Sequence, residues 1–448
     1  MPHLDVNPDW AWAPYEPSSE RPYDLRLAAH LHRRAGFGAT LEQLRASVEV
    51  GPAESVSRLL EATEDHQQAL EAEQLRAAAV AGNSIQMAAG AWLHRMLHSP
   101  AQAREKLTLF WHGHFASGDE KVQDVQLMQR QNDLLRTHAL GDFGELAREI
   151  SRDPAMLIYL DSATNRKSHP NENYARELME LFCLGEGNYT ETDVLELARC
   201  FTGWGVKRRQ YKFNPYQHDD GEKQLLGQRG AFSGEQAVNI VLDQPHVEQF
   251  IAGKLVRYLV MDEPAADARL LAPLAKTFRD ANLHVAPLVE RILRSNLFFS
   301  EHAVARKIRS PIELVVGMLR PFSAAANVVE LAKQARDVGQ GLYFPPNVKG
   351  WDGGRTWINT STLLGRANLA RDISLKAQFS DGGLDDWAKQ HDISSVDQAA
   401  EMIDVLLLAT PATESLRERF ASLADNLGDK SLRSLLHGIA STPQCQLG

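Results

Sequence analysis

The chain has 448 residues, 44% of them hydrophobic and 24% charged, with a formal net charge of -10. This composition supplies an ample core and fits two or three domains, or one large helical body. An acidic surface repels phosphate backbones, so nucleic acid is not an expected partner, and no run approaches the roughly 18 apolar residues of a membrane span.

In chain order, residues 1–22 are rich in Pro and Trp, lack periodicity and read as an N-terminal arm. They show neither a basic n-region nor an apolar h-region, so the chain as written is expected to be soluble and cytoplasmic. Asp24 to Arg34 reads as a short helix closed at Gly36-Phe37-Gly38, and Thr40 caps a helix from Leu41. A long helical stretch rich in Ala, Glu and Gln follows over 53–80. After Gly82-Asn83-Ser84 another helix runs to His98. Ser99-Pro100 opens a helix with apolar residues at helical spacing up to Trp111.

Further helices are predicted near 122–139, 142–152, 172–184 and, after a Thr190 cap, 191–201. Residues 205–230 are loop-like, with the makings of a β-hairpin. Helical periodicity returns from Gly234 to about Leu319, broken at Pro264 and Pro287, and 339–357 is irregular. More helices close the chain after a linker near Ser380 to Gly383. The predicted fold is mainly α: a large multi-helix globular body with long irregular loops and a small β-hairpin near 205–230. Its divisions are the arm (1–22), a main helical domain with the polar site (23–378) and a C-terminal helical segment (384–448).

The three cysteines, Cys183, Cys200 and Cys445, are odd in number and lack CxxC spacing, so neither a disulfide framework nor a cysteine zinc site is expected. Cys183 and Cys200 read as small buried hydrophobes.

Four segments carry the polar chemistry. In the first, 171–182, Glu172, Asn173, Arg176, Glu177 and Glu180 fall within an arc of about 140° on one helix face. Three carboxylates so placed repel one another, and Arg176 alone offsets them locally. That leaves capacity for a cation or a polyhydroxylated ligand; an amphipathic helix with a solvated face is the plain alternative. The second is Trp111-His112-Gly113-His114-Phe115. In extended backbone its two imidazoles point one way and offer nitrogens to a metal. In a continuing helix they stand about 200° apart and cannot share an ion. Gly113 and Ser117-Gly118 favour a helix ending here.

The third segment, His218-Asp219-Asp220-Gly221-Glu222-Lys223, offers an acid, a base and an anion contact on irregular backbone, although a surface turn uses the same residues. Trp204 stands close by in sequence. In the fourth, 343–357, Trp351 and Trp357 read either as a stacking platform for a sugar ring or as a cap on the core beneath the loop. There is no P-loop, dinucleotide-binding glycine fingerprint or GxSxG elbow, which argues against nucleotide hydrolysis, Rossmann-type redox chemistry and the common serine hydrolases.

The words LHRRAGFGAT, FWHGHFASG, NENYARELMELF, LGEGNYTE, FTGWG, HDDGEKQLLGQRG, KIRSPIELVVGMLR and PPNVKGWDGG, spread over residues 30 to 367, resemble a large bacterial family known as domain of unknown function 1800. Cys183 and Cys200 stand where Thr and Ala are expected in similar proteins. The resemblance implies that the separate polar segments form one unit. It also implies genomic association with exported proteins of alkaline-phosphatase-like type, and hence a periplasmic alternative for location. It assigns no catalytic residue.

The leading expectation is an enzyme performing acid/base or metal-assisted hydrolysis of a polar, carbohydrate or anionic, substrate in a cleft built from 111–223 and 340–357. Glu177, Glu180, His218 and Asp219 are its candidate catalytic groups. Asn173, Arg176, Lys223, Trp204, Trp351 and Trp357 are the candidate substrate contacts, and His112 and His114 the candidate ligands of one divalent metal ion. The alternative is a non-catalytic glycan-binding or scaffold protein in which these residues form a structural network.

Overall fold

The computed structural model describes every residue except 1–3, 5, 380 and 381, so part of the expected linker near Ser380 to Gly383 lies outside the described residues. The chain is mainly helical, and its strands form two small antiparallel pairs.

Helix α1 (Leu25–Ala35) starts where the Asp24 carboxylate accepts from the backbone N–H groups of Arg26 and Leu27, an N-cap. The expected long helix over 53–80 is two, Pro52–Glu61 and His66–Ala81. Asp65 makes the division, because its side chain accepts from Gln67 N and Gln68 N and starts a new helix. Helix α2 (Gln102–His114) is buried on nearly every side, as an all-round core helix must be. Trp111 donates from Nε1 to Ala139 O at 3.0 Å. Fully buried Glu105 is matched by Arg136 Nε at 2.6 Å and Trp92 Nε1 at 3.0 Å, which offsets the cost of desolvating a carboxylate.

Helix α3 (Asn173–Glu177) runs directly into a π-helical turn, Leu178–Cys183. A capping box between Thr190 and Asp193 then starts α4 (Glu191–Cys200). Residues 204–230 form two hairpins. β1 (Trp204–Lys207) pairs with β2 (Gln210–Phe213), and β3 (Lys223–Leu225) with β4 (Gln228–Gly230). Each has a two-residue turn with positive φ at both central positions, Arg208-Arg209 and Leu226-Gly227, as a type I′ turn requires.

Helix α5 (Val247–Leu259) precedes the turn at Pro264. The expected break at Pro287 falls earlier, at Asn282-Leu283. Pro287 sits in the first turn of Val285–Leu293, where its missing N–H costs nothing. Helices α6 (Pro311–Leu319), α7 (Thr360–Lys376) and α8 (Val396–Leu407) follow. Side chains from both chain ends join one apolar core: Ala11 and Trp12 of the arm pack in it, as do Ile403, Leu407 and Leu436. Among the described residues no helix is long and apolar enough to cross a membrane.

Candidate functional site

The second and fourth polar segments do meet. Tyr343 N donates to His112 Nε2 at 3.1 Å, and Asp119 N donates to Tyr343 O at 3.0 Å. Gly350, at φ +73°, lies so near the end of α2 that a Cβ there would stand 2.1 Å from the Gly113 carbonyl oxygen.

The helix continues through both histidines, closed by Phe115 N donating to Trp111 O at 2.8 Å. The arrangement of two imidazoles on one side is therefore not formed, and a shared metal ion at His112 and His114 is not supported. The two rings also have separate partners. His112 Nε2 is engaged by Tyr343, whereas His114 Nε2 lies 3.0 Å from Phe182 O in a nest of aromatic rings. Burial pushes His112 down to about 4 and His114 well below the ordinary imidazole range, with Lys254 adding to the latter. Among the described residues no group of three or more His, Cys, Asp or Glu side chains is placed to hold a metal.

On the first segment the carboxylates are partly spoken for. Arg176 grips Glu191 with two parallel bonds, of 2.8 and 2.7 Å, and reaches Glu172 at 3.2 Å. Its guanidinium fork is thus committed within the protein. Glu180 accepts from the Tyr189 hydroxyl at 2.7 Å. Asn173 is exposed. Glu177 is half-buried, and its side chain has no hydrogen bond or ion pair among the described residues. Burial and the neighbouring Glu180 charge raise its pKa, and Arg176 and Lys349 oppose them. The loop lysine of PPNVKGWDGG thus comes within electrostatic reach of the carboxylate helix.

The third segment is organised internally. His218 is buried with Nδ1 2.8 Å from Thr202 O. Asp219 is held below its ordinary pKa chiefly by its bonds from Arg199, the shorter 2.7 Å. Lys223 was expected to hold an anionic group; instead it is 1% exposed, and its ammonium donates to the Asp219 and Phe232 carbonyls. A buried lysine whose donors serve the backbone of two hairpin ends is a staple, which removes it as an anion contact.

Of the two loop tryptophans, Trp357 is packed as a core cap would be. Trp204 is buried against Phe201 and Tyr211, and Trp357 is buried. Trp351 is half-buried with its ring 5.6 Å from His112. No open aromatic platform results.

A cleft of about 630 Å³ lies beside these segments between the loop 184–188, α5 and the turn 261–266. None of the expected site residues lines it. Lys254, Arg257, His246, Glu186 and Asp262 do. Lys254 is placed by the π-helical turn: the carbonyl of Leu181, within its last turn, accepts from Lys254 Nζ at 2.9 Å. The ammonium also stands 4.7 Å from the Phe250 ring centroid. Among the described residues no carboxylate pairs with it. Burial, reinforced by the Arg257 charge, lowers its pKa to about 8, with Cys183 opposing.

Lys254 escaped the sequence reading because a lone lysine in FIAGKLVRYL looks like part of an ordinary amphipathic helix. Its signal was position: it falls in the stripe Ile251, Lys254, Leu255 and Tyr258, on the apolar side.

A comparison with curated proteins gives no match, and neither does one with solved structures. A family model described as "Protein of unknown function (DUF1800)" matches residues 30–447. Nearly the whole chain is thus accounted for by one family, and the protein belongs to it.

Proposed function

We propose that the chain is an enzyme performing acid/base hydrolysis, or a related proton transfer, on a small anionic substrate in the Lys254 cleft. The observation that carries this reading is Lys254 itself. An amine in a roomy cleft, unpaired with any carboxylate and held near pKa 8, has an appreciable neutral fraction at physiological pH. It would accept the proton. Arg257, exposed on the rim and using one guanidinium nitrogen on Asp352 O at 2.8 Å, would bind the substrate's anionic group. Glu177, unpaired and raised in pKa, is the expected carboxylate that best keeps a proton-handling role at the neighbouring helix face. The carbohydrate part of the expectation weakens, since the tryptophans are packed rather than presented.

A thermal-shift screen of small carboxylates and phosphate esters against the full chain tests the reading. Compounds that raise the melting temperature should lose that effect in Lys254→Met and Arg257→Met, and any turnover found with them should climb as pH rises through 8. Shifts that survive both substitutions would sink it, as would none at all.

A second reading, a non-catalytic scaffold, is favoured by one observation. Arg176, Asp219, Lys223 and His218 all have partners inside the protein. Under that reading Glu177→Gln and Lys254→Met would change stability and nothing else.

A further inference from the structure

The cleft that holds Lys254 has two kinds of wall. Its cationic part is made by Lys254 and Arg257, which lie one helical turn apart on α5. The acids at the cleft do little to cancel them. Asp262 is committed inside the protein, accepting from Lys307 Nζ at 3.1 Å and from Ile308 N at 2.7 Å, and Glu186 is exposed on the 184–188 loop.

Much of the remaining lining is apolar. Phe250 of α5, Met261, Pro264 and Ala266 of the turn that follows, and Leu271 of the helix Ala268–Asp280 all contribute. Gly253 lets Leu271 come close: a Cβ there would stand 3.2 Å from Leu271 Cδ1, so the missing side chain brings the two helices together directly beside Lys254. Met261 and Leu271 are nearly buried, whereas Phe250, Pro264 and Ala266 are half-buried and leave apolar surface uncovered. Charge and apolar surface adjoin at Phe250, whose ring centroid lies 4.7 Å from Lys254 Nζ. A bare anion would leave that surface wet; a ligand with an apolar tail would cover it.

We infer that the substrate is an amphiphilic monocarboxylate, its carboxylate held by Lys254 and Arg257 and its alkyl or aryl tail laid on Phe250, Pro264 and Ala266. The inference rests on the Lys254 cleft being the substrate site. Two cations, each with a donor already given to a backbone carbonyl (Leu181 O and Asp352 O), match a singly charged head better than a phosphate dianion. A cleft of about 630 Å³ also exceeds what a bare anion fills and is of the size that takes organic ligands.

The test is calorimetric titration of the full chain with acetate, butanoate, hexanoate and octanoate, each kept below its micelle concentration. Affinity should rise about fourfold for each added methylene until the tail fills the cleft. That rise should flatten in Ala266→Asn, which makes the wall polar, and binding should be lost in Lys254→Met. 1-Hexanol, with the tail and no charge, should bind about tenfold or more weakly than hexanoate. Affinity that ignores chain length would overturn the amphiphile and leave Lys254 as an anion-binding group. So would binding of phosphate esters, lost in Lys254→Met, together with no binding of any carboxylate. Carboxylate binding unchanged in Lys254→Met would overturn both this inference and the Lys254 site on which it rests.

Discussion

At the scale of single residues, Lys254 and His112 show burial acting on proton equilibria in ways that can be measured. Burial lowers Lys254 from 10.5 to about 8. Between those values the unfolded chain holds the extra proton, so Lys254's contribution to stability rises as pH climbs from 8 to 10.5. Urea midpoints of the native chain should therefore gain on those of Lys254→Met over that window; parallel curves would show an ordinary lysine. For His112 the direction is acid. Its pKa is lowered from 6.5 to about 4 by burial, so the neutral ring's stability is complete above pH 6.5 and is lost as pH falls through 4. At neutral pH, His112→Ala leaves the buried Tyr343 N–H without its acceptor and should cost about 1–3 kcal/mol in denaturant unfolding. A loss below about 0.5 kcal/mol would mean that this bond contributes no more than a typical surface contact.

At the scale of elements, the close approach of the 340–357 loop to α2 is the most exacting contact. Gly350 has φ +73° and nothing but backbone where a Cβ would go, so Gly350→Ala meets the Gly113 carbonyl at 2.1 Å. A loss of about 3 kcal/mol or more is expected by calorimetry or denaturant. Gly113→Ala is the control. Its Cβ would find only Trp351 at 3.8 Å, an ordinary contact, and should leave stability unchanged or improved by up to about 1 kcal/mol. Equal losses in the two variants would contradict the packing described.

How much of this was legible follows from the kind of force involved. The start of α1 near Asp24 and the Thr190 cap of α4 are local chemistry and are legible in sequence. The hairpin turn at Arg208-Arg209 was not, because Arg carries none of the Asn-Gly preference that usually marks positive φ. The HGH segment was misplaced for a related reason: a glycine that signals a helix end in sequence is here held helical by the loop packed on it. The carboxylate face of α3 was read correctly as a face, yet Glu191, which occupies Arg176, lies in α4 and could not be assigned by spacing.

At the scale of the molecule, the core and the buried charge are shared between distant parts of the chain. Glu313 of α6 is the clearest case. Burial opposes its charge, yet Lys106, Lys307 and Ser310 N hold it down to about 2. With its folded pKa below the unfolded 4.5, its stabilising contribution is present above pH 4.5 and lost as pH falls toward 2. Glu313→Gln strands Lys106 in the interior and should cost about 3–5 kcal/mol near neutrality, read as a shift of denaturant midpoint. A loss under about 1 kcal/mol would show that the pair is solvated. No sequence pattern announces this network, because Lys106 and Glu313 lie 207 positions apart in the chain. The helical class, set by periodicity summed over many short segments, was readable throughout.

The central claim is that Lys254 is a proton-handling group in the cleft, and its own titration tests that most directly. Lysine labelled with ¹³C at Cε, assigned by comparison with Lys254→Met, can be followed by NMR from pH 6 to 11 in the full chain. The expected result is one resonance titrating at about 8, in keeping with burial and the Arg257 charge. A midpoint at or above the ordinary value of 10.5 would leave an amine protonated at physiological pH and contradict the proposed chemistry.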